Sequence, residues 1–254
     1  MKSYAYTGHF GFFGAIGLLL CGAMSGAVRA DTINVAVASN FATTMERVKQ
    51  DFEAHSVHSI SLIRGSSGRH FAQITNGAPF DLFLSADVER PRQLELAGLV
   101  SRENRVGYAV GQLVLWGRGR GSRVTAQSLQ DSSRINRIAI ANPRLAPYGL
   151  AALETLRSLG LWTELETKLV RGENVNQAFQ FVYTGNAELG FVALSQVLAV
   201  PDSGSFWRVP AAYYQPIRQE MVLLSDSAAA RELFDYLQSE SMLSILQSMG
   251  YLKP

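Results

Sequence analysis

The sequence predicts an α/β protein built of parallel sheets covered by helices. Three observations predict it. Strand-like and helix-like stretches alternate along the chain. The alternation runs through two similar blocks. At four junctions, Ser39-Asn40, Ser67-Gly68, Tyr148-Gly149 and Asn174-Val175, a strand end passes into a helix start.

In the first block, residues 33–38 are β-rich and end at Ser39. Phe41, Met45, Val48 and Phe52 follow at helical spacing. Residues 60–63 form a second strand ending in Gly65-Ser66-Ser67-Gly68, and Phe71 and Ile74 mark a short helix. Asn76-Gly77-Ala78-Pro79 is a turn before a third strand, 81–84, which ends in Ser85-Ala86-Asp87. The next helix carries Leu94 and Leu96 and stops at Gly98.

In the second block, 113–116 and 138–140 are strands. Tyr148-Gly149 opens a helix with Leu150, Leu153, Leu156 and Leu159, capped by Gly160. Residues 169–171 form a strand followed by Gly172-Glu173-Asn174. Val175, Ala178, Phe179, Val182 and Tyr183 give the clearest helical stripe, with Asn174 and Gln177 at N-cap and N3 spacing. Residues 189–194 read as a strand, and 228–249 as one helical tail with Leu233, Leu237, Leu246 and Met249 on one side.

The 254-residue chain is 47% hydrophobic, enough for a core, with 23 Lys plus Arg against 21 Asp plus Glu. A nucleic-acid binder, which needs a clustered positive field, and a disordered acidic chain are both disfavoured. Residues 1–30 read as a secretory leader: Lys2, then an apolar stretch, then Val28-Arg29-Ala30 before Asp31. An uncleaved membrane anchor is the alternative. Cys21 raises lipidation, but Leu20 precedes it where a small residue is expected. Without residues 1–30 the chain has 21 basic and 21 acidic side chains and no Cys. A Cys-free, neutral, exported protein is the expectation.

Catalytic motifs are sparse. There is no G-x-S-x-G elbow, no H-E-x-x-H and no Cys nucleophile in the mature chain. His55 and His58 flank a predicted surface loop, and His70, close to Ser66 and Ser67, reads as a surface residue. A Ser67–His70 hydrolase pair would need a base orienter that no residue supplies. Residues 117–121 (GRGRG) lack phosphate-loop spacing and read as an exposed turn. What remains is the set of helix starts, each offering unpaired N–H groups and a positive dipole end. Singly each is an ordinary N-cap; if the strand ends converge, the donors converge on one anion.

The ordered series V-A-S-N-F (37–41), G-S-S-G (65–68), G-A-P-F-D-L-F-L-S-A-D (77–87), Asn142-Pro143, Pro147-Tyr148-Gly149, G-E-N-V (172–175), E-L-G-F-V-A (188–193) and Met249-Gly250-Tyr251 closely resembles the periplasmic molybdate-binding proteins of ABC importers. The resemblance covers nearly all of 31–254 and implies a type II periplasmic binding fold, two α/β lobes with a ligand cleft between them. It places lobe 1 at 31–112 and 216–254, lobe 2 at 113–215, and the crossings near 110–112 and 215–217. By position, Ser39 and Ser67 would bind the oxyanion through hydroxyl and backbone N–H, and Tyr148 and Val175 through backbone N–H. Many members carry a Tyr where this chain has Ala193; Asn40 would restore that donor through its side-chain amide or its N–H.

The same resemblance implies a non-catalytic periplasmic receptor, cleaved after about Ala30. It would be monomeric, deliver its ligand to a membrane permease, and bind neither cofactor nor nucleic acid. No free metal cation is expected; molybdenum would enter as the oxyanion through the same residues. A donor-only pocket suits molybdate, a dianion with acceptors only, whereas hydrogen phosphate needs an acceptor. Glu173 is the nearest carboxylate and is expected to face solvent. Tungstate should bind comparably, and sulfate discrimination would rest on cavity size. The same fold tuned to another oxyanion, a Ser67–His70 hydrolase, and a structural or adhesive role are the alternatives.

Overall fold

The computed structural model describes residues 1–5, 7–8, 29–118, 123–131, 135–200, 202 and 204–254. Most of the leader, and Gly119, Arg120 and Gly121 of the Gly-Arg run, lie outside the described residues. No helix among the described residues is long and apolar enough to cross a membrane.

Among the described residues ten strands form two five-stranded sheets. The first contains β1 (Thr32–Ala38), β2 (Ser59–Gly65), β3 (Leu82–Leu84), β4 (Arg105–Gly111) and β10 (Ile217–Leu223), ordered β2-β1-β3-β10-β4. The second contains β5 (Leu113–Gly117), β6 (Ile138–Ala141), β7 (Leu169–Gly172), β8 (Leu189–Ala193) and β9 (Ser205–Arg208), ordered β7-β6-β8-β5-β9. Helices α1 (Ala42–Glu53), α2 (Ser67–Thr75) and α3 (Glu89–Leu96) belong to the first half of the chain. Helices α4 (Pro147–Ser158), α5 (Trp162–Leu165), α6 (Val175–Tyr183) and α7 (Leu194–Leu198) follow, then α8 (Ala228–Tyr236) and α9 (Glu240–Ser248).

The apolar runs become strands because helices cover both faces, so nearly every side chain can be buried. From Val35 to Ala38 every residue of β1 is at most 2% exposed. In α1 the buried positions Ala42, Met45, Val48 and Phe52 trace one stripe onto this sheet. In the second sheet, Trp116 stacks on Phe179 of α6 with ring centroids 4.6 Å apart, worth about 0.5–1.5 kcal/mol beyond burial. Two main cores result, one for each sheet. Gly160, at φ +72°, ends α4, and the Leu161 N–H closes the turn on the Leu156 carbonyl at 2.8 Å.

The sheets are mixed, not wholly parallel. β1 pairs parallel with β2 and β3, and β6 with β7 and β8. β10 runs antiparallel to β3 and β4, and β5 antiparallel to β8 and β9. The reason is the crossing: the chain leaves the first sheet at Gly111, enters the second at Leu113, and returns between Arg208 and Ile217. A strand that arrives from the other lobe enters from the opposite end of the sheet. The helical tail is also two helices. The Ser239 hydroxyl accepts from the Met242 N–H and starts a new helix where a continuous one was expected.

Candidate functional site: donors at four strand ends

Register places the site. In the first sheet Ala38 lies beside Gly65, so the chain leaves two adjacent strand ends through Ser39 and Ser67. In the second, Ala141 lies beside Gly172, and the chain leaves toward Tyr148 and Val175. Neighbouring residues join the two sheets. The Gly68 N–H donates to the Leu145 carbonyl at 3.0 Å, and Arg90 donates to the Arg144 carbonyl at 3.1 Å. Arg69 lies 3.6 Å from Glu173. Gly149 lets α4 start tight against β6, because a Cβ there would collide with the Ala141 carbonyl oxygen.

All five residues expected at the site are buried: Ser39 is 8% exposed, Ser67 1%, and Asn40, Tyr148 and Val175 2% each. The backbone N–H groups of Asn40, Ser67, Tyr148 and Val175 donate to no acceptor among the described residues. Ser67 opens α2 and Val175 opens α6, so both N–H groups are helix-start orphans with the dipole behind them. The Ser67 hydroxyl accepts from the Ala86 N–H at 2.9 Å, which leaves its own proton to donate.

Two expectations change. The Ser39 N–H is spent on the Gly65 carbonyl at 2.8 Å, leaving only its hydroxyl to offer. The Asn40 side chain is spent too. Its Nδ2 donates to Gln219 Oε1 at 3.0 Å and to the Tyr251 hydroxyl at 3.2 Å, so of the two donors expected there only the backbone N–H is unengaged. The Asn40 carbonyl is held in turn by the Ser195 hydroxyl at 3.0 Å and lies 2.9 Å from the Tyr251 hydroxyl. Burial pushes Tyr251 up to about 12, so it stays protonated. Ala193 ends β8 with its N–H taken by Gln196 Oε1 at 3.1 Å and offers no donor.

His70 is not a surface residue: it is 1% exposed, with Nε2 3.2 Å from the Val37 carbonyl and Nδ1 3.1 Å from Gln73 Oε1. Desolvation depresses its pKa below the ordinary histidine value, outweighing both hydrogen bonds. Ser67 and His70 therefore bond different partners, and the hydrolase pair does not form. His58 is also buried, accepting from the Asp31 N–H at 3.1 Å. Glu173 is exposed beside Arg69, and Asp87 is ion-paired with Arg90. Among the described residues no cluster of three or more His, Cys, Asp or Glu could hold a metal.

Sequence reasoning missed the buried support beneath Asn40: Tyr108, Ser195, Gln219 and Tyr251. One signal was present. Gln219 occupies the same strand face as Ile217 and Met221, a polar residue in an inward register.

The chain matches the family described as bacterial extracellular solute-binding protein over residues 33–252. It is 42% identical to the molybdate-binding protein ModA of Azotobacter vinelandii, over 92% of this chain and 93% of that protein. It is 39% identical to ModA of Rhodobacter capsulatus, over 94% of this chain and 95% of that one. It superposes on the solved Azotobacter vinelandii periplasmic molybdate-binding protein with a TM-score of 0.83 at 36% identity, covering 87% of this chain and 99% of that one. The two-sheet α/β fold and these matches agree, and the chain belongs to the bacterial extracellular solute-binding proteins, among the relatives of ModA.

Proposed function

We propose that this protein captures molybdate, and tungstate with it, in the cleft between its two sheets, and hands it to an ABC importer. One observation carries the reading: four buried backbone N–H groups with no partner among the described residues sit past strand ends of the two sheets, together with the Ser39 and Ser67 hydroxyls, and none of these five residues is a carboxylate. Ser39 donates its hydroxyl, Ser67 its hydroxyl and N–H, and Asn40, Tyr148 and Val175 their N–H groups. Asn40 thus supplies by backbone the donor that Ala193 lacks.

Every group offered is a donor, and a fully deprotonated tetrahedral dianion presents only acceptors. Hydrogen phosphate would set its own O–H against donors and leave it unpaired, at about 1–3 kcal/mol or more. Charge-assisted bonds contribute about 1.5–3 kcal/mol each, so six suffice for the roughly −8 kcal/mol of micromolar binding after ordering costs. No Lys or Arg is among the proposed ligands, so fixed dipoles carry the recognition.

Support for a periplasmic receptor working with a membrane permease comes from the family and from the leader-like residues 1–30. We propose cleavage after about Ala30, a monomeric mature protein, and lobes at 31–112 with 216–254 and at 113–215. Binding without catalysis fits relatives that are solute-binding proteins. A thermal-shift panel with molybdate, tungstate, sulfate, phosphate and chromate tests the reading, since a ligand at 100 times its Kd adds about 2.7 kcal/mol to native stability. Molybdate and tungstate should raise Tm together. A panel in which only phosphate or sulfate acts would replace molybdate with that anion.

A further inference from the structure

Strand β10 brings the chain back from the second sheet and carries Gln219, 1% exposed, where the pairing with β4 slips register between Gln219 and Glu220. Its carboxamide has two chemically opposite ends. Oε1 accepts from Asn40 Nδ2 at 3.0 Å and lies 2.9 Å from the Tyr108 hydroxyl. Asn40 Nδ2 sets the amide orientation, since a flip would put Nε2 against it; the Tyr108 hydroxyl also lies 3.2 Å from the Ser85 carbonyl and has one proton for the two acceptors. Nε2 and the Tyr148 hydroxyl are both buried and make no hydrogen bond of good geometry. Burial raises the Tyr148 pKa, yet Gln219 lies close enough to pull it down against that larger rise. Both orphans flank the same spot: a Cβ on Gly111 would collide with the Tyr148 hydroxyl and come 2.7 Å from Gln219 Nε2. Gly111 is the last residue of β4 before the chain crosses between sheets. Asn40 belongs to the first half of the anion site, and Tyr148 to the second.

Two buried, unpaired polar groups side by side are costly unless some state of the molecule joins them. We propose that Gln219 is a positioning residue that couples the two halves of the site: Oε1 holds the Asn40 loop, and Nε2 bonds the Tyr148 hydroxyl as the lobes draw together on the anion. Gly111 leaves the room for that bond. The inference rests on the anion-site reading above. It adds a device at the crossing that touches no ligand yet sets how tightly the ligand is held.

The test is a double-mutant cycle with Gln219→Leu and Tyr148→Phe, the second of which keeps the backbone N–H. Three quantities are read: molybdate affinity by calorimetry, the change in radius of gyration on adding molybdate, and the apo melting temperature. Each single variant should weaken molybdate binding about tenfold, the worth of one net hydrogen bond, and reduce the ligand-induced compaction. The double variant should bind about as the weaker single does. A purely structural orphan predicts the opposite for Tyr148→Phe: a higher apo melting temperature with unchanged affinity. That result, or losses that multiply in the double variant, overturns the coupling. If Gln219→Leu does not fold, Gln219→Asn takes its place in the cycle, since it keeps the amide and shortens its reach. A wild-type protein that binds no oxyanion refutes the site reading, and this inference with it; a wild type that binds while both variants match it refutes the inference alone.

Discussion

Replacing Ser67 with Ala removes one oxygen that does two jobs. The hydroxyl accepts from the Ala86 N–H at 2.9 Å, which leaves its proton to donate to a bound anion. Because Ser67 is only 1% exposed, water cannot easily replace it at Ala86. An orphaned buried N–H costs about 1–3 kcal/mol, so the apo protein should lose stability by that amount. The donor toward the dianion is charge-assisted and worth about 1.5–3 kcal/mol, so molybdate affinity should fall between about tenfold and about 150-fold. Calorimetry at fixed ionic strength reads the second effect, and apo melting reads the first. A lower apo Tm with unchanged molybdate affinity would show that the hydroxyl serves Ala86 alone, and would remove Ser67 Oγ from the site.

Other outcomes follow from the same geometry. Glu173→Ala should change molybdate affinity less than about threefold, because the carboxylate and its partner Arg69 are both exposed and such pairs are worth about 0–1 kcal/mol; a larger change would place Glu173 in the site. Gly149→Ala should destabilise the fold by about 1–3 kcal/mol in a urea titration, since its Cβ meets the Ala141 carbonyl that seats α4. An unchanged midpoint would mean α4 can shift without cost. His70 is buried neutral with a depressed pKa, and Arg69 adds to the depression. The unfolded state therefore takes up its proton first, near pH 6.5, so the stability is intact above that pH and is lost as pH falls below it. The Tm of wild type should drop faster than that of His70→Gln between pH 7 and pH 5.5; parallel curves would show that His70 titrates normally.

The strands β1, β2, β3, β5, β6, β7 and β8 were legible because each holds an apolar run that stops at a small or polar residue. Strands β4, β9 and β10 were not, because Arg105, Gly107, Arg208, Arg218 and Glu220 interrupt any run. Their pairing is set by the crossing between sheets, which no local pattern encodes. The Asn174 cap was legible, and its side chain accepts from the Gln177 N–H at 3.1 Å. Gln177 then reaches the Glu173 N–H at 2.7 Å, one residue before the N-cap. The burial of His70 was not, since its partner at Val37 is 33 residues away and faces it only once β1 is in place. At the proposed site, the alternation of strands and helices marked Ser67, Tyr148 and Val175 as helix starts, and the family resemblance supplied their proposed roles. Which atoms of Ser39 and Asn40 stay unengaged was not legible, because Gly65, Gln219 and Tyr251 decide that from distant elements.

The central claim is that neutral, preorganised donors select a fully deprotonated dianion without help from bulk charge. The most direct measurement is calorimetric titration of the purified protein with molybdate and with phosphate at pH 7, repeated from 50 mM to 500 mM sodium chloride. The account predicts micromolar or tighter molybdate binding, phosphate at least about 100-fold weaker, and little change with salt, since the donors are buried and uncharged. Equal affinity for the two anions, or a molybdate affinity that collapses with salt, would contradict it.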